Sequence, residues 1–463
     1  MPDRADPAAT SSWLARCKTM ITNLSRLPWK AVLWIALGAL VLALPFIVLL
    51  TGERASGTSL LWDFAMGLGF GALAAAGLQF VLTARFRPIT RPYGIDIVYL
   101  FHRYFAIGAV ALMLGHFAIL YIWFEEALGD LNPLTAQWEL TMGRVALGSF
   151  VLLVITSEFR KTLRIPYELW RYGHIALAII AFGAAVTHII GVGHFTAEAD
   201  KRILWLGVAV SWTGLIIWTR LIRPFRLWRN PWRIVENIPR EGGVHSLVLE
   251  PLGKGLQNWI PGQFVWLTLG ATPFALKEHP FTISTPPEHG PNVTLSIKPL
   301  GDFSEWAART VPGTKAYLDG PYGAFSIDND PDAKGFVMIA GGVGITPMMS
   351  NIHALCERGD HRKVILIYAN KDRESVHFRD ELAELEDQIN LTVVHVLENP
   401  PDDWDGETGF IDRVILVKHL PDETRNWPHF LCGPGPLTDA VRSELVKMGV
   451  PLAAIDSEIF DLV

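Results

Sequence analysis

Two long apolar segments, each interrupted by two histidines at the same interval, constrain this chain more than any other feature. Ile97 to Phe124 carries His102 and His116, Trp170 to Phe195 carries His174 and His188, and both intervals are fourteen residues. A helix advances about 100° and 1.5 Å per residue, so each pair falls on one helix face, about 21 Å apart along the axis. A lone histidine in an apolar helix is commonly a packed or hydrogen-bonded residue. Four at a duplicated spacing are harder to explain that way, because an unsatisfied polar group in lipid is costly. Side by side, the two helices offer His102 with His174 and His116 with His188 at two depths. That is the arrangement of axial ligands for two stacked six-coordinate b-type haems.

With 463 residues, 50% of them hydrophobic and 19% charged, the chain is too long for one domain and too apolar in its first half for an ordinary soluble protein. Six spans are expected: Ala31 to Leu50, Leu60 to Thr83, Ile97 to Phe124, Met142 to Ser157, Trp170 to Phe195 and Ile203 to Ile222, the fourth being short. With the N-terminus inside, the inner side carries twelve lysines and arginines, counting Arg171 at the inner end of the fifth span. Outer loops carry three, Arg54, Lys201 and Arg202, or four with Arg144. That asymmetry obeys the positive-inside rule and puts His102 and His174 near the cytoplasm. A net charge of −6 gives no basis for a nucleic-acid partner. Cys17, Cys356 and Cys432 lie far apart and suggest neither a disulfide framework nor a zinc site. No internal repeat stands out.

After the basic, aromatic boundary Arg220–Arg229, composition becomes that of a soluble protein. The runs Trp232 to Ile238, Val244 to Glu250, Gln263 to Leu269, Val293 to Ile297 and Lys315 to Leu318 predict a small antiparallel β-barrel. From Phe336 the pattern alternates strand and helix, predicting an α/β nucleotide-binding domain. The expected fold is therefore multidomain: an N-terminal segment 1–30, a six-helix transmembrane haem-binding bundle 31–222, a barrel domain 223–330 and an α/β domain 331–463.

Within the α/β domain, Gly341-Gly-Val-Gly-Ile-Thr-Pro347 follows a strand and opens a helix, with Thr346 suited to the N-cap and Pro347 to the first helical position. Such a turn presents backbone N–H groups to a pyrophosphate, although alone it is also an ordinary tight connection. Around it stand His279-Pro-Phe-Thr-Ile-Ser284, Lys298-Pro-Leu-Gly-Asp-Phe-Ser304, Asp319-Gly-Pro-Tyr-Gly323 and Cys432-Gly-Pro434. In this order the motifs resemble the flavin and nicotinamide domains of the ferredoxin-NADP reductase family. Joined to two-histidine membrane helices, the chain is similar to the NADPH oxidase and ferric reductase family over about Ile97 to Val463.

The resemblance implies FAD, two haems and NADPH or NADH as cofactors. It implies that Pro280, Phe281, Thr282 and Ser284 hold the isoalloxazine, with His279 at the flavin's edge or phosphates. Lys298, Gly301, Asp302 and Ser304 would take its pyrophosphate. Gly341, Gly342, Gly344, Thr346 and Pro347 would cradle the nicotinamide dinucleotide, and Cys432, Gly433 and Pro434 would lie beside the nicotinamide. Phe460 would cover the flavin, although three further residues follow it here. Lys371 and Arg373, after the second strand, stand where cations meet a 2′-phosphate. Thr282, Cys432 and Phe460 are thus the residues nearest hydride transfer.

The implied activity is transmembrane electron transfer from cytoplasmic NAD(P)H to an outer acceptor, in a multi-pass protein of a bacterial-type inner membrane. O2 giving superoxide is the leading acceptor; ferric iron, another metal or a quinone is the alternative, and a non-enzymatic haem-binding module is a third reading. Arg54 and His194, on the outer side, either attract an anion or are plain interfacial residues. No protein partner is indicated beyond the lipid bilayer.

Overall fold

The computed structural model describes residues 29–50, 59–90, 95–132, 134–193, 195–275 and 277–460. Arg54, His194 and the residues after Phe460 lie outside them. The chain divides into two compact units, one ending at Pro224 and the other beginning at Phe225.

The first unit is helical: α1 (Trp29–Leu50), α2 (Leu60–Thr83), α3 (Ile95–Trp123), α4 (Trp138–Glu158), α5 (Tyr167–Val192) and α6 (Ala199–Ile217). Five stretches are long and apolar enough to cross a bilayer: Leu60–Thr83, Ile97–Trp123, Trp138–Glu158, Tyr167–Val192 and Lys201–Trp228. Helix α1 has 22 residues, but its apolar stretch among the described residues, Val32–Leu44, is shorter. Outward-facing Leu114, Ile122, Ile180 and Val210 are exposed, as expected where the surroundings are hydrocarbon. The fourth span is longer than its hydropathy suggests. Glu139 and Arg144 mask its first turns, yet backbone hydrogen bonding proceeds through them and Arg144 Nη2 donates to the Leu128 carbonyl at 2.6 Å. Close packing also selects Gly77 on α2, where a Cβ would stand 1.6 Å from the Trp212 ring of α6. Trp212 in turn meets Phe182 edge-on at 3.9 Å.

The second unit holds two sheets. The first is antiparallel, in the order β4-β3-β6-β1-β2-β5, with β1 Trp232–Pro239, β2 His245–Pro251, β3 Phe264–Leu269, β4 Glu278–Thr282, β5 Val293–Ile297 and β6 Lys315–Tyr322. Its end strands meet where Ile283 bridges Leu295. Sequence reading missed β4 because Pro280 lacks an N–H; on an end strand that lack is tolerated. Helix α7 (Asp302–Ala308) follows β5.

The second sheet has the order β10-β9-β8-β7-β11-β12, every neighbouring pair parallel. Its elements are β7 Gly335–Gly341, α8 Thr346–Glu357, β8 Lys363–Asn370, α9 Arg379–Gln388, β9 Leu391–Leu397, β10 Glu407–Thr408, α10 Arg413–His419, β11 His429–Gly433, α11 Gly435–Lys447 and β12 Ile455–Ile459. Phe336, Met338 and Ala340 of β7 enter one core, Val337 and Ile339 the other. Both faces are covered, which is why the strand reads as an unbroken apolar run. Ser350 on α8 ties the two sheets together, accepting from Gly262 N–H at 3.0 Å and donating to the Thr285 carbonyl at 2.9 Å.

Candidate functional site

In the helical unit two of the four histidines, His102 and His174, meet ring to ring. The rings of His102 and His174 lie 6.3 Å apart between centroids, room for one metal ion at about 2 Å from a nitrogen of each. His116 Nδ1 is 2.8 Å from the Ala65 carbonyl and His188 Nδ1 is 2.8 Å from the Glu139 carbonyl. A carbonyl only accepts, so each Nδ1 carries a proton and each Nε2 is left unprotonated, able to ligate a metal. His174 is held alike. Ser157 Oγ donates to the Leu153 carbonyl at 2.7 Å, so the 3.2 Å contact to His174 is donated by Nδ1. His102 Nδ1 is buried and has no hydrogen-bond partner among the described residues.

The anchors repeat. Four residues after Ala65, Gly69 would place a Cβ 3.2 Å from the His116 ring; four residues after Glu139, Gly143 would place one 2.8 Å from the His188 ring. Thus α2 serves α3 as α4 serves α5: a carbonyl holds the imidazole and a glycine one turn later leaves room for it. This duplication of contacts escaped the sequence reading, because carbonyls carry no side-chain signature. Beside His102, Arg103 forms a bidentate pair with Glu158, at 2.8 and 2.5 Å, locking α3 to α4.

In the antiparallel sheet, His279, Pro280, Phe281 and Thr282 occupy β4 and pair in register with Leu267, Trp266, Val265 and Phe264. Alternate residues share a face, and Phe303 of α7 lies over His279 (centroids 4.1 Å, 21°) and Phe281 (6.1 Å, 20°). Phe303, unassigned from sequence, thereby joins the His279 motif to the Lys298 motif. Ser284 is turned inward, its hydroxyl 3.1 Å from the Thr294 carbonyl and 3.0 Å from Ser296 Oγ. Ser304 Oγ accepts from Leu300 and Gly301 N–H at 2.9 and 3.0 Å, shaping the turn ahead of Asp302. Lys298 is half-buried and Thr282 buried.

In the parallel sheet, the chain runs outward from β7 through β8 to β10, then returns to β11 on the other side of β7. The crevice between the C-terminal ends of β7 and β11 is the topological switch point, where ligands bind in open α/β sheets. Gly341-Gly342 and Cys432-Gly433 lie there, with Cys432 paired to Ala340. A Cβ on Gly344 would fall 2.3 Å from the Cys432 carbonyl oxygen, and one on Gly433 3.1 Å from Gly341 N. These glycines bring the two motifs into backbone contact. Gly342, at φ 54° with nothing within 4 Å of a Cβ, is the turn's open position. Its carbonyl accepts from Tyr368 Oη at 3.0 Å, and burial pushes the Tyr368 phenol well above its ordinary range, so it remains a donor.

Thr346 does not cap the helix. Residues Gly342–Ile345 already wind as a 3-10 turn, so Thr346 is helical and its buried hydroxyl donates to the Val343 carbonyl at 3.1 Å, with Pro347 still in the first turn. Cys432 is fully buried and Pro434 caps α11. Phe460 leaves β12 beside Gly433, its N–H 3.4 Å from the Gly433 carbonyl, with 37% of its surface exposed. Lys371 is exposed, and Arg373 faces Asp403 at 3.1 Å.

Comparison with known proteins fits this arrangement. The chain matches the Ferric reductase like transmembrane component over residues 68–185 and the Oxidoreductase NAD-binding domain over residues 338–443. It is 31% identical over 291 residues to NADH-cytochrome b5 reductase 1 of Cryptococcus neoformans var. neoformans, covering 61% of this chain and 92% of that protein. Against NADH-cytochrome b5 reductase 1 of Aspergillus terreus it is 31% identical over 36% of this chain and spans only 60% of that protein's length. A Flavohemoprotein of Oceanobacillus iheyensis is 28% identical over 49% of this chain and 58% of that protein. The chain therefore belongs to the NADH-cytochrome b5 reductase-type oxidoreductases, with a ferric reductase-like transmembrane component preceding its reductase portion.

Proposed function

We propose that this protein moves electrons from cytoplasmic NAD(P)H across a bacterial-type inner membrane to an outer acceptor, with FAD and two b-type haems as the bound groups. The observation that carries the reading is the repeated histidine anchor, in which Ala65 and Glu139 carbonyls orient the His116 and His188 rings. The bound groups supply the redox chemistry: flavin exchanges both electron pairs and single electrons, haem single electrons only. The chain's own residues position them. His102, His174, His116 and His188 would ligate two irons, β4 with Phe303 would form the flavin wall, and Gly341–Gly344 with Cys432–Pro434 would seat the dinucleotide. With six spans, the N-terminus and the second unit lie in the cytoplasm.

His102 with His174 and His116 with His188 would hold the haems, which would supply single electrons to the acceptor. O2 giving superoxide is the reading we favour; ferric iron is the second, supported by the transmembrane component's family description. Steady-state NADPH oxidation, with cytochrome c reduction measured with and without superoxide dismutase and compared with a ferric chelate, separates them. Dismutase-insensitive turnover that only the chelate stimulates would reject superoxide.

Coenzyme choice tests Lys371 and Arg373. The Arg373–Asp403 pair is exposed (45% and 73%), and such pairs are weak enough to re-form around a phosphate. Replacing both cations with Ala should raise KM for NADPH about tenfold, the worth of one charge-assisted hydrogen bond, and leave NADH little changed. Equal changes for the two coenzymes would remove the assignment.

Phe460 stands beside Gly433 and would stack on the flavin when nicotinamide is absent. Phe460→Ser should then lower both Michaelis constants roughly twofold to tenfold, from loss of an aromatic contact of about 0.5–1.5 kcal/mol. Wild-type constants at saturating FAD would show that Phe460 only ends β12.

A further inference from the structure

The β1–β2 hairpin of the antiparallel sheet reaches the parallel sheet at His377, in the segment between β8 and α9. Its connection, Glu241–Gly243, carries Gly242 at φ 66° and Gly243 at φ 72°. A Cβ on Gly242 would stand 2.3 Å from His377 Nδ1 and 3.2 Å from the Ser375 carbonyl oxygen. The Glu241 carbonyl lies 3.0 Å from His377 Nδ1. The Glu241 carboxylate accepts twice from Arg379, from the backbone N–H at 3.3 Å and from Nη2 at 3.0 Å. The hairpin thus grips the segment on both sides of Phe378, which is buried and held at φ 58°. That conformation is rare for a bulky side chain and persists only where the surroundings impose it.

From His377 the contacts run inward to the coenzyme turn. A carbonyl only accepts, so Nδ1 carries the proton shared with Glu241. Burial holds the imidazole below its ordinary range against the pull of that hydrogen bond, and the Lys298 ammonium of the flavin motif acts with burial. The His377 backbone N–H donates to Tyr368 Oη at 3.2 Å, and that hydroxyl donates to the Gly342 carbonyl at 3.0 Å. A hydroxyl has one proton, and accepting from His377 leaves it for Gly342. Tyr368 and His377 are both fully buried, where bonds in series polarise one another and a group that loses its partner is costly. Gly342 has no side chain to pack, so the Tyr368 bond orients its peptide.

We propose that Tyr368 and His377 are positioning residues through which the β1–β2 hairpin sets the coenzyme turn, so that the antiparallel sheet governs how tightly the parallel sheet holds its dinucleotide. The inference rests on Gly341–Gly344 being the dinucleotide seat. Both residues act through the Gly342 peptide and not on the reacting atoms. The turn would serve NADPH and NADH alike, whereas Lys371 and Arg373 would meet the 2′-phosphate alone, so the two effects are separable. A dinucleotide held less tightly reacts at the same rate once the site is saturated, which puts the signature in KM and leaves kcat in place.

The test is calorimetric titration of the full chain in phosphatidylcholine nanodiscs with NADP+ and with NAD+, beside steady-state oxidation of NADPH and NADH. Tyr368→Phe deletes one hydroxyl and keeps the ring. It should raise both dissociation constants and both Michaelis constants about tenfold, the worth of one buried hydrogen bond, with kcat and flavin content unchanged. Gly242→Ala, in the other sheet, should do the same by pushing the His377 ring away, and His377→Phe should match it without adding a Cβ. Gly243→Ala is the control: it shares the left-handed backbone but meets nothing within 4 Å, and it should bind both coenzymes normally. Adding Tyr368→Phe to Gly242→Ala should weaken binding at most about twofold more, because contacts in one series are not additive. Full additivity, wild-type constants in Tyr368→Phe, or equal losses in Gly242→Ala and Gly243→Ala would overturn the proposal. An unaltered chain that binds neither dinucleotide would instead remove the coenzyme reading beneath it.

Discussion

His188→Ala should, if the four histidines hold haem as proposed, leave a protein with about one haem per flavin in place of about two, because one of a pair of ligating histidines would be lost. Acceptor reduction should fall to background, while NAD(P)H still reduces the flavin at the normal rate. His116→Ala should behave identically. A sharper version uses the glycine that makes room for the ring. Gly143→Ala would set a methyl carbon 2.8 Å from His188 Nδ1, closer than the two atoms can approach, so the ring must swing away from the Glu139 carbonyl. Loss of such a supporting contact typically costs 10- to 100-fold in metal affinity, and the outer haem should be depleted in detergent. Low-spin absorbance and pyridine-haemochrome quantification check both variants. Two haems retained with an unchanged spectrum in Gly143→Ala would mean that His188 is not held as described.

Gly344→Ala should be as damaging in the second unit. Its methyl would lie 2.3 Å from the Cys432 carbonyl oxygen, 2.6 Å from the carbonyl carbon and 2.9 Å from Gly433 N. All three are backbone atoms of β11, so no side chain can rotate aside. The turn and the strand end must separate, opening the crevice at the switch point. Displacements of about 1 Å in a reacting geometry cost about a hundredfold in rate, and NAD(P)H-driven flavin reduction should fall at least that far. Flavin content and reduction by dithionite should be preserved, since β4 and α7 are untouched. Gly359→Ala, outside the coenzyme motifs, is the control: nothing lies within 4 Å of its Cβ, and only the left-handed φ opposes it, at about 1–2 kcal/mol. Normal rates in Gly344→Ala would refute the close contact.

Both predictions depend on contacts that no local pattern singles out. The sequence alone determined the elements whose causes are local. Apolar length set the long helices, a fourteen-residue interval put each histidine pair on one helix face, and alternating strand and helix patterns set the parallel sheet. Gly and Pro clusters marked the coenzyme turn. Local rules failed where a neighbour close in space but not adjacent in sequence overrides them. Thr346 looks like a cap, but the preceding 3-10 turn draws it into the helix. Pro280 looks like a strand breaker, but it lies on an end strand.

Only the tertiary structure decided which atoms meet across long separations. Ala65 and Glu139 offer bare carbonyls to His116 and His188 from other helices, and a carbonyl is the same in every residue type. Gly69, Gly143 and Gly344 are small because of what stands opposite them, which is fixed by packing and not by their neighbours in the chain. Residue types and their periodicity specify the faces that will be buried. The partners on those faces follow from close packing of the assembled interior, where a single Cβ is enough to forbid the contact.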